Sequence, residues 1–471
     1  MMRFHRRTLS VVVLPLLVGG CVSMAPEYER PSAPVPEQLR YSDALSSQSA
    51  QALPWQTLIH EPRLSAVIEK ALDQSRDLRK AVANIEVARA TYRIAQSSEF
   101  PTLEASATGS RERTLNSPTN KTAITQSSSA TVGINSYELD FFGKIKSQTD
   151  MQWESYQGVE EAARTVRISL IAEVSTAWLS LASDQSLLQL ARKTEESAKR
   201  SLVIVEARIQ RGIDSNVALY EAQSVVHQAR ADSASYAAKV GQDRAALELL
   251  VGASLDDSLL PQTLDANAEG WVGDVPVGLS SQILLSRPDI LEAEHNLKSA
   301  NANIGVARAA YFPSITLTGT GGVGSNSLRG LFDGGTSTIW SFIPNVKLPL
   351  FDAGSRDATL DYAKANRDLY VARYELAIQT AFKEVNSALA RRVTINDQLQ
   401  AQNALVEATT KRYATYDARY QKGIDTFLNT LISQRSMYAS EQNLIGVRLE
   451  ALLNRVSLYQ VLGGGLAQKS E

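Results

Sequence analysis

Few side chains in this sequence have the type and spacing to do chemistry, and they do not assemble an enzyme. The four histidines (His5, His60, His227, His295) lie far apart, without the short spacing of metal ligands. "GTGGVG" at 319–324 has enough glycine to approach a phosphate, but it sits in an alternating segment and opens no helix. No histidine–carboxylate pair is evident. The single cysteine is the exception. Cys21 follows "MMRFHRRTLSVVVLPLLVGG", with a basic stretch from Arg3 to Arg7, an apolar run from Leu9 to Val18 and two glycines. Residues 1–20 therefore read as a secretory signal peptide whose apolar run is too short to stay as a membrane-spanning helix.

The ending "VGGC" resembles the lipidation signal of bacterial lipoproteins. That resemblance implies a covalent lipid on Cys21, which becomes the new N-terminus, and no other cofactor. Several acyl chains on one residue anchor a protein stably, whereas one chain alone binds marginally. Val22 stands where an aspartate would retain the lipoprotein in the inner membrane, so the resemblance favours the outer membrane.

A second group of polar residues occurs twice. "ARIQRGID" (207–214) returns as "ARYQKGID" (418–425). Gly212 and Gly423 suit left-handed helix ends, and Asp214 or Ser215 (Asp425 or Thr426) can cap the helix that follows. Each octapeptide is then the tip of a helical hairpin. Arg208 and Arg211, with their copies Arg419 and Lys422, exceed what a turn requires and point to a docking surface.

The elements that carry these tips are also duplicated. "DLRKAVANIEVARATYRIAQSSEFP" (77–101) matches "DILEAEHNLKSANANIGVARAAYFP" (289–313), and "ELDFFGKIK" (138–146) resembles "KLPLFDAGSR" (347–356). No proline falls between Pro118 and Pro261 or after Pro349, which leaves both stretches free to be helical. From Leu170 through Val174, Ala177 and Leu181 to Val205 and Ile209 an apolar seam runs at steps of three and four. It returns more weakly from Ala381 and Val385 to Tyr413, Tyr416 and Tyr420. A helix from Lys144 to Gln210 would be roughly 100 Å long at 1.5 Å per residue. Such elements make a rod or a tube.

Between the helices the period changes to two. Leu103, Ala105 and Ala107 alternate with polar residues, as do Ile315, Leu317 and Gly319, and returning strands carry Val132, Ile134, Trp340, Phe342 and Val346. Aromatics cluster near the strand ends, as in transmembrane β-strands, and the segments "NSPTNKTAITQSSS" and "SNSLRGLFDGGTS" read as external loops. Four strands cannot close a barrel, and open edges are not tolerated in lipid, so spanning strands require a homo-oligomer. With 44% hydrophobic and 21% charged residues the chain is neither disordered nor a polytopic helical membrane protein, and a net charge of −2 argues against a nucleic-acid binder.

Taken together, Cys21, "PEYERPSAPVP" (26–36), "LPWQTLIHEPRLSAVIEKAL" (53–72), "LDFFGKIKS" (139–147), "RPDILEAEHNLKSANANIGVARAAYFPSITL" (287–317) and "LPLFDAGSR" (348–356) resemble the TolC-like outer-membrane efflux proteins, in the lipoprotein branch that serves resistance-nodulation-division drug pumps. The resemblance implies an α+β membrane protein: a trimeric, twelve-stranded transmembrane β-barrel with four strands per chain, continued by a long periplasmic α-helical barrel. In that scheme residues 21–60 form a lipidated segment and belt. A first repeat spans 61–251, a belt linker 252–285, a second repeat 286–462 and a tail 463–471. The expected partners are two further copies, outer-membrane lipid, a periplasmic membrane-fusion adaptor at the tips (Arg208, Arg211, Gly212, Asp214, Arg419, Lys422, Gly423, Asp425), and an inner-membrane transporter. The implied function is a passive exit duct for drugs, closed by an aperture just past the second tip. Leu428 matches its aliphatic position, Ile432 stands where aspartate is common, and Glu221 is the equivalent residue of the first copy. A duct for secreted proteins or metal ions, or a non-porous periplasmic scaffold, are the alternatives.

Overall fold

The computed structural model describes residues 23–41, 54–116, 121–275 and 281–464. Cys21, the signal peptide and the tail from 465 onward lie outside the described residues. Eight α-helices and four strands follow in the order α1 (Trp55–Leu58), α2 (Pro62–Gln74), α3 (Arg76–Ser97), β1 (Leu103–Asn116), β2 (Lys121–Glu138), α4 (Lys144–Gln210), α5 (Asn216–Val251), α6 (Pro288–Ala309), β3 (Ser314–Ser325), β4 (Ser337–Lys347), α7 (Ser355–Gln421) and α8 (Phe427–Val461). The duplication is metrically close. α3 and α6 both have 22 residues, α4 and α7 both have 67, and α5 and α8 have 36 and 35.

The chain divides into two compact units. One gathers Ile85–Val159 and Ala293–Tyr374 with the described residues up to Pro31; the other gathers Glu160–Glu292 and Glu375 onward with the described residues of 32–84.

The first unit holds one antiparallel sheet in the order β1-β2-β3-β4. Its cross-strand rows sort the side chains by face. Leu103, Ile134, Gly319 and Phe342 lie opposite one another, as do Ala105, Val132, Gly321 and Trp340. The alternate rows are polar and joined by hydroxyls: Thr108 to Ser129 at 2.8 Å, Ser110 to Ser127 at 3.0 Å, Thr320 to Ser341 at 2.7 Å. A bulge between Ile134 and Tyr137, with Ser136 at φ 51°, keeps both residues on the apolar face although an odd step separates them. Gly322 of "GTGGVG", and Gly133 on the neighbouring strand, serve close approach. A Cβ on Gly322 would sit 2.1 Å from the Ala130 carbonyl oxygen, and one on Gly133 2.2 Å from that of Gly319.

One loop assignment is corrected. Of "NSPTNKTAITQSSS", the run from Lys121 onward is strand rather than external loop, and β1 likewise continues to Asn116. Serine and threonine there pair hydroxyls across the ladder, so polarity marks a wet strand face instead of a loop.

The second unit is built from the two helical hairpins. All twelve positions of the first seam, from Leu170 to Ile209, are buried or half-buried, and so are all twelve of the second, from Ala381 to Tyr420. The linker expected as a belt packs against them. The Trp178 indole donates to the Leu259 carbonyl at 3.0 Å, Leu264 N–H donates to Ser186 Oγ at 2.6 Å, and Asp274 pairs with Arg392 and Arg455. The N-terminal segment, by contrast, is divided. Residues 23–31 belong to the first unit, where Arg30 forms a 2.7 Å ion pair with the buried Glu294 and Asn301 donates to the Pro26 carbonyl.

Arg287, at the start of the second repeat, is the central charge of the second unit. The residue is 7% exposed, and its guanidinium donates to the Val461 carbonyl at 2.6 Å and pairs with Asp289 at 2.7 Å and Glu384 at 3.1 Å. It thereby ties the beginning of α6, the middle of α7 and the end of α8. Arg287→Met should lower unfolding stability by about 3 kcal/mol, the low end for breaking a buried pair because both carboxylates keep a third of their surface in water. The midpoint of urea unfolding, followed by helical circular dichroism, measures it.

Candidate functional site

The duplicated tips close the long helices by the same backbone geometry. Gly212 sits at φ +71° and Gly423 at φ +75°, where an L side chain is strained. Gly212 N–H donates to the Ile209 carbonyl at 2.8 Å and Ile213 N–H to that of Arg208 at 2.9 Å; Gly423 and Ile424 repeat the pattern on Tyr420 and Arg419, both at 2.9 Å. This is the double bond of a Schellman cap, made twice. A Cβ on either glycine would meet nothing within 4 Å, so the requirement is purely conformational.

The arginine at the second position of each octapeptide reaches across its own turn. Arg208 Nε donates to Asp214 at 2.8 Å, and Arg419 Nε to Asp425 at 3.1 Å. These aspartates are therefore occupied. The expected side-chain caps are corrected on that account: Ser215 and Thr426 hold the N-cap positions but make no side-chain cap bond. The Asn429 amide at 2.6 Å, and then Arg419, hold the Asp425 carboxyl below the usual carboxylate range. Arg211 and Lys422 are exposed, as are Gly212 and Gly423. Of the charged residues expected to dock a partner, Arg208 and Asp214 are thus largely committed to the turn, while Arg211 and Lys422 face solvent.

One side chain joins the two tips. Tyr420, 2% exposed, donates its hydroxyl to Asp214 Oδ2 at 2.7 Å, and the Arg208 guanidinium lies 4.7 Å above its ring. Its ring meets Phe427 at 5.4 Å inside a cluster that includes Val205, Ala222, Val226 and Leu431. Burial first, and then the bond to Asp214, push the Tyr420 phenol upward, so it remains a donor throughout the physiological range. Tyr420 is core and latch at once. Tyr413 and Tyr416 are half-buried beside it.

Past the second tip, Leu428 and Ile432 lie one turn apart on α8 and are 48% and 55% exposed, while Phe427 and Leu431, each one residue before them, are buried. The apolar pair therefore stands on the face turned away from the core. The equivalent residues of the first copy are Val217, 65% exposed, and Glu221, half-buried. Sequence reasoning missed Ile213 and Ile424, 58% and 60% exposed at the very tips. The signal was present in both octapeptides, since isoleucine follows each glycine without any demand from the turn.

Because the Tyr420 hydroxyl bonds to a carboxylate that Arg208 still satisfies, Tyr420→Phe should cost about 1–2 kcal/mol locally. Tip amides at 208–216 should then exchange with deuterium about tenfold faster, with the rest of the second unit unchanged.

Comparison with known proteins places this geometry in context. The model of the family described as outer membrane efflux protein matches residues 67–253 and again 279–464, one match per repeat. The chain is 42% identical over 465 residues to the antibiotic efflux pump outer membrane protein ArpC of Pseudomonas putida, covering 97% of this chain and 95% of the relative. It matches the toluene efflux pump outer membrane protein TtgC of the same species to the same extent. Among solved structures, the open state of the Neisseria gonorrhoeae MtrE outer membrane channel superposes with a TM-score of 0.85 at 33% identity, covering 96% of this chain and all of that one.

Proposed function

The chain belongs to the outer membrane efflux protein family, and from that premise we propose that it is the passive exit duct of a tripartite multidrug efflux assembly. It is an outer-membrane protein, and the channel of an efflux system rather than a catalyst. The observation that carries this reading is the sheet. One face is apolar and exposed, with Trp340 at 79% and Phe342 at 61%; the other is lined by hydroxyls; and β1 and β4 each pair on one side only. Strands of 11 to 18 residues are long enough to cross a bilayer at a tilt. Three copies of four strands supply a closed barrel whose outer face meets lipid and whose lumen is wet. Homotrimerisation is thus the way this sheet satisfies its edges. No helix among the described residues is long and apolar enough to cross a membrane.

The helical hairpins are the periplasmic part of the protein, and their tips meet a membrane-fusion adaptor. Arg211, Lys422, Ile213 and Ile424 present positive charge beside apolar surface in both copies, so a trimer would offer the adaptor six similar hairpins. Leu428 and Ile432, with Glu221, narrow the aperture, and the Tyr420–Asp214 latch holds the two hairpins of a chain together in the closed state. Energy comes from an inner-membrane transporter of the resistance-nodulation-division type, which also selects the cargo. The antibiotic and toluene efflux of the relatives points to amphiphilic and small aromatic compounds. A covalent lipid on Cys21 adds a membrane anchor.

Accumulation of a fluorescent efflux substrate, in cells that keep the native adaptor and pump, tests the duct. Cells lacking the chain should accumulate more dye, and an uncoupler of the proton gradient should erase the difference. No difference across several dyes, with the protein present in the outer membrane, would move the reading to secreted proteins or metal ions. Cys21→Ser should abolish labelling by radioactive palmitate; persistent labelling would refute the anchor.

A further inference from the structure

The hairpin of α4 and α5 is symmetric about its turn, so residues equally distant from the bond between Ile213 and Asp214 face each other. Val205 with Ala222, Ala198 with Ala229, and Ala191 with Tyr236 form successive layers one heptad apart, with all four alanines and the valine buried. The next layer in that register is Asp184 with Asp243. Two carboxyls thus meet where the preceding layers are apolar or aromatic. Oδ2 of Asp243 is sealed from solvent with no hydrogen-bond partner, and the register sets the Asp184 carboxyl in the same layer.

The neighbouring cations do not resolve the pair. Lys239, one turn before Asp243, lies 5.4 Å from the Tyr236 ring and offers only a partial counter-charge. Arg244 is engaged by Glu248, Asp257 and the Leu255 carbonyl. From α8, Tyr438 donates to Asp232 at 3.0 Å and Gln442 to the Tyr236 hydroxyl at 3.2 Å, and neither brings a charge; Glu441 of α8 faces Lys193. Carboxyl groups in contact cannot both ionise without repulsion, whereas one proton shared between them makes a strong bond.

The second hairpin is an internal comparison. Its register is fixed by Thr409 and Ser440, whose hydroxyls meet at 2.7 Å and which are equidistant from the turn at Ile424–Asp425. Counting two heptads further places Ile395 opposite Asn454, at the positions equivalent to Asp184 and Asp243. Ile395 is 1% exposed and the Asn454 amide donates to the Ala388 carbonyl at 3.0 Å, so nothing in that layer titrates.

We propose that Asp184 and Asp243 form a proton-binding site that clamps α4 to α5, and that this clamp exists in the first hairpin alone. Burial, and then Asp184, push the Asp243 carboxyl up to about 6 from an ordinary value of 3.8, with Lys239 pulling the other way. A carboxyl raised in the packed state contributes fully below 3.8, and its contribution is lost as pH rises through about 6. The first hairpin is therefore tighter in mild acid than at neutral pH, and the second is indifferent. The clamp is independent of what the duct carries.

The test is amide hydrogen exchange on the full mature chain in lipid nanodiscs, normalised to the intrinsic exchange rate at each pH. Opening around 180–188 and 239–247 should increase about tenfold between pH 5 and pH 8, with no trend around 391–399 and 450–458. Asp184→Asn and Asp243→Asn, which keep the side-chain shape, should each flatten the trend, and unchanged protection of the second hairpin verifies that the variants fold. The proposal is overturned if the wild type shows no trend, if both hairpins show the same one, or if it survives either substitution. Full protection restored at pH 8 by calcium or magnesium would also overturn it, because the pair would then hold a cation instead of a proton.

Discussion

Every backbone N–H and C=O that meets the hydrocarbon core of a bilayer must find a partner, at several kilocalories per mole for each failure. This chain supplies four strands and leaves the outer sides of β1 and β4 unpaired. A sheet this narrow has no closed form by itself. In the proposed trimer, rotational symmetry is the means by which these two edges find partners.

The long helices follow from that constraint. Each begins shortly after a strand ends, and the first must return so that β3 can rejoin the sheet. A turn of minimal size with no bulk on its outer side does this, and Gly212 and Gly423 provide it through backbone conformation alone. The charged residues around them divide their work. Arg208 and Arg419 brace the turn through Asp214 and Asp425, and the exposed residues that remain are available to a partner. Tyr420 then makes two turns into one unit. Its ring is held by apolar packing and its hydroxyl by a carboxylate of the other hairpin, so the tips cannot separate without breaking both kinds of contact.

Much of this was legible in the sequence because the architecture is repetitive. Duplication doubled each weak signal: one Gly-Ile-Asp is a turn, two in equivalent places are an element of design. Heptad spacing marked the seams, down to positions that are polar, and none of the marked positions is exposed. What failed to show were features that depend on register across elements. The hydroxyl-rich strand face around Ser127 looked like a loop because serine and threonine are common in both settings, and only the pairing with β1 distinguishes them. The aspartates of the tips looked like helix caps because nothing local reveals that an arginine six residues earlier has already claimed them. The division of the N-terminal segment at Pro31 depends on which helix receives Arg30, and Glu294 lies more than two hundred residues away.

The ladder of serine and threonine hydroxyls on the polar face of the sheet has a consequence for anything moving past it. Several of these hydroxyls are already satisfied by a cross-strand neighbour, through bonds such as Thr108 to Ser129 and Thr320 to Ser341. A passing solute can exchange such a bond at almost no net gain, so these hydroxyl rows offer no deep well, and the charge on this face is carried by a few side chains such as Glu104 and Glu112. Transit requires binding weak enough to leave as well as to enter. Rows of mutually paired hydroxyls are low-friction stretches of such a lining, and the carboxylates set among them are where the polarity of the traffic is felt.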